Sequence, residues 1–510
     1  MTVKKILRTA CIFLMLLAIA LGSAACQTKK AANSSSDLEI FLWESGSGSD
    51  YMQKIVDAFK AKHPEYNVTF RANANGEYID TQLEQTTVNT IDLFFTARGS
   101  DYEKYCEPLN DILDYTADGE SKTIGEKFGE QKLQYLRSGD GNYYSLSYYG
   151  GLGGICYNAD IIDGVAYSEP RTTDELYYLA LDLSADKYVP FIHFTEGGYW
   201  DYVYNVWVDQ YCGDAAYLDM LQNPTLEKLT DDENGIKQTL EVLHRLLGST
   251  DNVYSGSNSY DFTSAQTLFL EGKAVMMVDG TWMEYEMRSN YKEGTKNFRM
   301  MKTPVISTIV EQCDSIKGEN GGTADEELSA LIAAIDAEDP AFVGDGYNVS
   351  QADYDRVEKA RNTITNNYAG HTACIPNYST AKDAAKEFLK FFYSDSAMKI
   401  YMEELKWYPP LDFSEEVATD QSSYTEWNKE QIALFQQCTA FPSDFREISH
   451  PIYSLGGCDL FGQYKDNLIT LISTNDPNSK LTNAEATWTN IKTEHDKNWS
   501  RYFELAGITE

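Results

Sequence analysis

The sequence predicts an α/β protein with room for two hydrophobic cores, and three observations carry that prediction. The first is the β-loop-α-β opening. Leu38-Glu39-Ile40-Phe41-Leu42-Trp43 is an apolar strand, and residues 44–50 (E-S-G-S-G-S-D) form the loop at its end. Residues 51–62 then place Ile55, Val56 and Phe59 on one helical face. His63-Pro64-Glu65-Tyr66 breaks that helix, and 67–70 returns as a strand of a parallel sheet. The second observation is the stretch 268–282, L-F-L-E-G-K-A-V-M-M-V-D-G-T-W. A helix running in from about Asp261 carries Phe262, Ala265, Leu268 and Phe269 at near-helical spacing, Gly272 stops it, and a buried strand follows over 274–278. That strand delivers Gly280 and Trp282 to a loop at its carboxyl end, where open α/β sheets hold ligands. Trp282 reads either as an interfacial packing residue or as a stacking platform for a small ligand. The third observation is length: well over 450 of the 510 residues follow the leader, enough for two sizeable cores.

The leader sets the expected location. Lys4, Lys5 and Arg8 form a basic start, and 12–20 is an apolar run of signal-peptide length. Leu21-Gly22-Ser23-Ala24-Ala25-Cys26 puts small residues directly before a cysteine and resembles a bacterial lipobox, with Ser23 where leucine is usual. That resemblance implies cleavage before Cys26, a lipid on its sulfur, and a body on the extracytoplasmic (outer) face of the cell membrane. Residues 27–36 are small and polar, as a flexible tether requires.

Composition excludes several functions. With 78 acidic against 42 basic residues the formal net charge is -36, which repels DNA and anionic lipid. Aromatic residues make up 13% of the chain, 36 of them tyrosine, and such rings suit neutral polar ligands because each has an apolar face and a polar tip. Beyond Cys11 and Cys26 the seven remaining cysteines are odd in number and scattered, so they read as buried free thiols rather than a disulfide framework. The six histidines are equally dispersed and no metal-ligand spacing emerges. Nothing resembles a nucleophile elbow or a P-loop, and the glycines at 150–154 do not match a dinucleotide fingerprint.

The remaining candidate residues fall at strand ends. Residues 91–98 (I-D-L-F-F-T-A-R) end on Phe95 and Arg98; Arg98 is either a fork of donors for adjacent hydroxyls or a surface cation among acids. Tyr148 and Tyr149 precede the glycines of 150–154, which permit backbone rotation at a crossing between lobes. A strand at 190–194 ends in Thr195-Glu196-Gly197-Gly198-Tyr199-Trp200, an acid and two aromatics at a loop. Residues 201–211 read as a helix that is mostly core. Trp407-Tyr408-Pro409-Pro410 and the stretch 454–464, with Phe461, supply further rings.

The order of these segments resembles that of the extracellular solute-binding proteins of bacterial carbohydrate importers, the maltose-binding-protein-like family. The resemblance is carried by helix, G-K-A-x-M, strand and G-x-W at 268–282, L-N-D-I-L-D at 109–114 and the hairpin G-D-G-N-Y-Y-S-L at 139–146, where Ser147 replaces the expected proline. It continues through I-C-Y-N-A-D at 155–160, P-R-T-T-D-E-L at 170–176, A-C-I-P-N at 373–377 and the helix pair 381–393 and 396–405. It implies a two-lobe periplasmic-binding-protein-like fold with a ligand cleft between the lobes. The expected division is a leader over 1–25, a tether over 26–37, one lobe from 38–147 and 283–372, and the other from 148–282 and 373–510. Residues 307–367 are read as an insertion or lid in the first lobe. The implied function is capture of a sugar or oligosaccharide and delivery to the permease subunits of an ABC importer, by a monomer that needs no cofactor or metal and performs no catalysis. The implied ligand contacts are Trp43, Glu44, Ser45, Phe95, Arg98, Tyr149, Glu196, Tyr199, Trp200, Trp282, Trp407 and Phe461. The alternatives are another organic solute, such as a peptide or polyamine, or a surface-anchored glycoside-active enzyme using a carboxylate pair such as Glu44 and Glu196.

Cys26→Ala tests the leader directly. The expected outcome is loss of a lipid-modified amino terminus by mass spectrometry and release of the protein into the medium.

Overall fold

The computed structural model describes residues 35–510 except 75–78, 85–88, 165, 319–321, 340–348, 414–420 and 475–480; the leader, Cys26 and most of the tether lie outside the described residues. Two mixed sheets organise the chain. The first contains β1 (Asp37–Trp43), β2 (Asn67–Asn73), β3 (Leu93–Ala97), β4 (Leu146–Ser147) and β10 (His371–Cys374), in the order β2-β1-β3-β10-β4. The second contains β5 (Leu152–Asn158), β6 (Phe191–Ile192), β7 (Met276–Gly280), β9 (Thr363–Asn366) and β11 (Thr439–Pro442), in the order β11-β9-β5-β7-β6, with β8 (Phe298–Met300) also paired to β5.

The opening folds as its pattern dictates. Leu38, Ile40 and Leu42 alternate into the first core, and the helix Asp50–Lys62 covers them with Tyr51, Met52, Ile55, Val56 and Phe59. Asp50 in its first turn and Lys60 and Lys62 in its last complement the helix dipole. In the second lobe the Asp261 carboxylate caps the helix Phe262–Leu270 by accepting from the Ser264 N–H at 2.8 Å. Gly272 ends that helix in the left-handed region at φ 74°. β7 follows within four residues, two positions later than the sequence places it, and all five of its residues are buried.

The allocation of the later segments to lobes is corrected by strand pairing. β8 pairs with β5 through Cys156–Met300, so the chain does not cross back after Trp282. It stays in the second lobe through β9, crosses at 367–370, and only then contributes β10 and the helices Lys382–Phe392 and Asp395–Leu405 to the first. The return runs through the helix Glu426–Gln437 to β11. The described residues of 307–366 pack into the second lobe rather than forming a lid on the first. Ile309, Ile316, Leu328, Leu331, Ile332 and Val357 are fully buried in the second core, and a capping box between Thr323 and Glu326 starts the helix Ala324–Asp336.

The first crossing lies where expected, between β4 and β5, but its glycines answer to crowding as well as to rotation. None of residues 150–154 has a positive φ. A Cβ on Gly153 would fall 2.3 Å from the Tyr202 ring, and one on Gly151 2.7 Å from Tyr149 and 3.1 Å from Trp282. Gly280, opposite Gly153 in the β5–β7 ladder, lies under Trp282, whose ring atoms are 2.2–2.4 Å from where its Cβ would be. Gly153→Ala is expected to cost about 1–3 kcal/mol, the usual penalty of overpacking, read as a lower urea midpoint. Gly139→Ala, where a Cβ meets nothing within 4 Å, is the control and leaves the midpoint near wild type.

Candidate ligand cleft

Aromatic rings from both lobes converge where the two sheets meet. Trp43, the last residue of β1, donates its indole N–H to the Ala74 carbonyl at 2.9 Å and stacks on His371 with ring centroids 5.0 Å apart and planes 6° apart. The other neighbour of His371 is Tyr149, stacked at 4.4 Å and 22°. Burial pushes the His371 imidazole down to about 3, so it is a neutral ring here. Tyr149 meets the edge of Trp407 at 5.6 Å, and Trp407 donates its N–H to the Tyr401 hydroxyl at 3.0 Å. On the second lobe, Tyr199 and Tyr202 stack at 5.1 Å and 5°, and both present edges to Trp282 at 5.5 and 6.0 Å.

The lobes touch along the loop that follows β1. A Cβ on Gly46 would fall 2.8 Å from Trp282 Cβ and 2.7 Å from Glu286 Oε1, and Gly48 at φ 61° sits under the Tyr285 hydroxyl. This loop is a short 3-10 turn over Ser45–Ser47. Glu44 is half-buried at its start and accepts from the Ser49 hydroxyl at 2.8 Å; the Ser45 and Ser47 hydroxyls are 3.3 Å apart.

Beneath the rings lies a pair of carboxyl groups. Gln266 Nε2 donates to Asp279 Oδ2 at 3.1 Å and to Glu286 Oε2 at 2.7 Å, and Asp279 Oδ1 accepts from the Gly280 N–H at 2.7 Å. Burial, with Glu286 adding repulsion, pushes the Asp279 carboxyl up to about 8; burial pushes Glu286 up to about 7. The Trp282 indole N–H reaches toward Asp279 without a well-directed bond, and Gln266 Oε1 is buried without a partner.

The expected contacts therefore separate. Trp43, Glu44, Ser45, Tyr149, Tyr199, Trp282 and Trp407 line or border this region. Phe95 lies in the first core, edge-on to Tyr148 at 5.2 Å; Trp200 lies in the second between Phe191 and Trp207, and Phe461 packs on Tyr204 at 4.6 Å. Arg98 is buried, its guanidinium 2.9 Å from Glu447 and donating to the Ala369 carbonyl at 3.2 Å, so it ties the end of β3 to a segment of the other lobe. Glu196 belongs by its backbone to the turn Thr195–Gly197. His371, Tyr202, Tyr285, Asp279, Glu286 and Gln266 were not among the expected contacts. Asp279 had a visible signal, since it sits inside the D-G-T-W motif; the others are brought in by pairing and packing.

Two α/β lobes joined by three crossings, with rings and acids of both facing one seam, define a two-lobed ligand-binding receptor. The chain belongs to the bacterial extracellular solute-binding protein family, whose profile matches residues 45–399. That is a family of receptors, and the glycoside-cleaving alternative falls with it. A comparison with curated proteins by sequence finds no match. Among solved structures, the fold is similar to the solute receptor AcbH, described as having an exclusive preference for β-D-galactopyranose, at 14% identity and TM-score 0.58, covering 92% of this chain and 100% of that one. It is similar also to the GacH receptor of Streptomyces glaucescens, described unliganded and with acarbose, at 15% identity and TM-score 0.60, covering 93% and 99%. Maltose-bound MalE3 of T. maritima matches at 15% identity and TM-score 0.56, covering 90% and 99%.

The raised carboxyls predict a pH dependence of stability. Between their unfolded values near pH 4 and their folded values near 7 and 8, the folded state binds protons that the unfolded state has released. Their contribution is full below about pH 4 and is lost as pH rises, with a slope of up to about 1.4 kcal/mol per pH unit for each group. Asp279→Asn is expected to flatten that decline in urea-unfolding series run from about pH 5 to pH 8.

Proposed function

We propose that the protein captures a sugar or short oligosaccharide between its lobes and delivers it to the permease of an ABC importer, held at the outer face of the membrane through Cys26. The observation that carries this reading is the aromatic wall contributed by both lobes around Trp282. A pyranose has one face of C–H groups and a rim of hydroxyls. An indole removes that face from water at about 25 cal/mol per Å², while carboxyl and amide groups such as Glu44, Glu286 and Gln266 take hydroxyls. The three similar receptors named above are described with galactose, acarbose and maltose, which supports a saccharide as the cargo class.

A thermal-shift screen across mono- and oligosaccharides, peptides and polyamines identifies the cargo. A transport receptor must release what it binds, so a dissociation constant on the order of micromolar, about -8 kcal/mol, is expected. Trp282→Ala is then expected to weaken binding by roughly 2 kcal/mol or more, about 30-fold, in titration calorimetry with circular dichroism as the folding control. A folded variant that binds as wild type makes Trp282 a packing residue only.

A further inference from the structure

We propose that Asp279 and Glu286, set among the rings of Tyr149, Tyr199, Tyr202 and Trp282, form an ammonium subsite, so that the cargo bears a free amino group. The inference rests on the solute-capture reading above and narrows it: in a saccharide, the group is an unacylated amine.

Four features of the site point the same way. The two carboxyls share one amide nitrogen, that of Gln266, which holds their oxygens close together. Neither acid forms an ion pair with a described residue, and no cation is among the groups that shift either carboxyl. Arg288, two residues from Glu286, lies on the Tyr285 ring at 3.6 Å and faces Asp50 at 4.0 Å. The buried Gln266 Oε1 has no donor, and Glu286 Oε1, at the seam with Gly46, accepts no hydrogen bond from a described residue. The walls are π-faces and edges, the surroundings in which a desolvated ammonium is held by ring quadrupoles. A net charge of -36 on the whole chain adds a long-range field of the right sign for a cationic solute.

Two buried anions without a countercharge are costly, so burial holds both carboxyls above the ordinary carboxylate range and favours their protonated forms. The phenols of Tyr149, Tyr199 and Tyr202 also face the pair, with Asp201 behind Tyr202; none supplies a positive charge. An entering ammonium does. It favours the ionised carboxyls, and binding near neutral pH is accompanied by proton release to solvent. A neutral sugar has no such effect; it would accept the carboxyl protons as ordinary hydrogen bonds.

The test compares matched ligands on the purified protein by calorimetry in two buffers of different ionisation enthalpy: glucosamine oligomers, their N-acetylated counterparts, neutral gluco-oligosaccharides of the same length, and spermidine. The expected result is at least tenfold tighter binding of the amine than of its acetylated or neutral counterpart, with proton release for the amine alone. Glu286→Gln and, independently, Asp279→Asn are expected to bring that ratio toward one. Binding of spermidine with the same proton release, and of no saccharide, keeps the ammonium subsite and overturns the sugar reading. Neutral or acetylated oligomers binding as well as the amines, with no proton release, overturns the subsite and leaves the sugar reading standing. Failure of every amine to bind at millimolar concentration overturns the subsite as well.

Discussion

The seat of Trp282 constrains more of this molecule than any other contact. Gly153 and Gly280 are direct partners in the β5–β7 ladder, and Gly151 lies two residues before Gly153, just ahead of β5. The three positions form a floor without side chains, and Tyr149, Tyr202 and Trp282 lie on it at distances that exclude even a methyl group. One indole thus fixes the end of β7, the first crossing and, through its own Cβ against Gly46, the loop of the opposite lobe. Aromatic area held by glycine backbone is rigid, because the rings have few rotamers and the strands under them are hydrogen-bonded. A lobe that moves must slide away from that platform rather than deform it.

The two kinds of contact between the lobes differ in what they ask of such a motion. At the Gly46–Trp282 seam the contact is van der Waals, and parting it exposes modest area. At Arg98 and Glu447 it is an ion pair buried on the arginine side, supported by the Ala369 carbonyl of the second crossing. Buried ion pairs return little net stability, because desolvation offsets most of the attraction; opening that rehydrates both partners is therefore not prohibitive. Arg98 then serves register between the lobes more than strength.

Much of the fold was legible because local signals agreed with the tertiary outcome. The strand at 38–43, the helix start near Asp261 and the Gly272 stop depend on signals within a few residues, and each sits where the sequence places it. Lobe membership was not legible after Trp282. Whether 298–300 pairs with β5 or returns to the first sheet depends on partners more than a hundred residues away, and the apolar pattern of 307–367 fits either core. The cleft divided along the same line. Trp43, Tyr149 and Trp282 stand beside glycine-rich turns, where rings have reason to be held in a loop; Trp200 and Phe461 carry the same chemistry on segments that turn into the second core. Sequence supplies the ring, and only packing says which way it faces.

His371 makes the point in reverse. Nothing near it in sequence marks a binding position, yet β10 places it between Trp43 and Tyr149, from strands far apart in the chain. Its burial keeps it neutral, so it extends the stacked surface without adding charge. The carboxyl groups beneath the rings are Asp279 and Glu286, with Glu44 at the edge of the same region. A neutral cleft base beside an acidic pair is an asymmetric environment. On the proposed reading it suits a solute with a broad face at one end and a group able to donate or carry positive charge at the other. Orientation of the cargo would then be set by electrostatics at Glu286, while affinity is distributed over the rings.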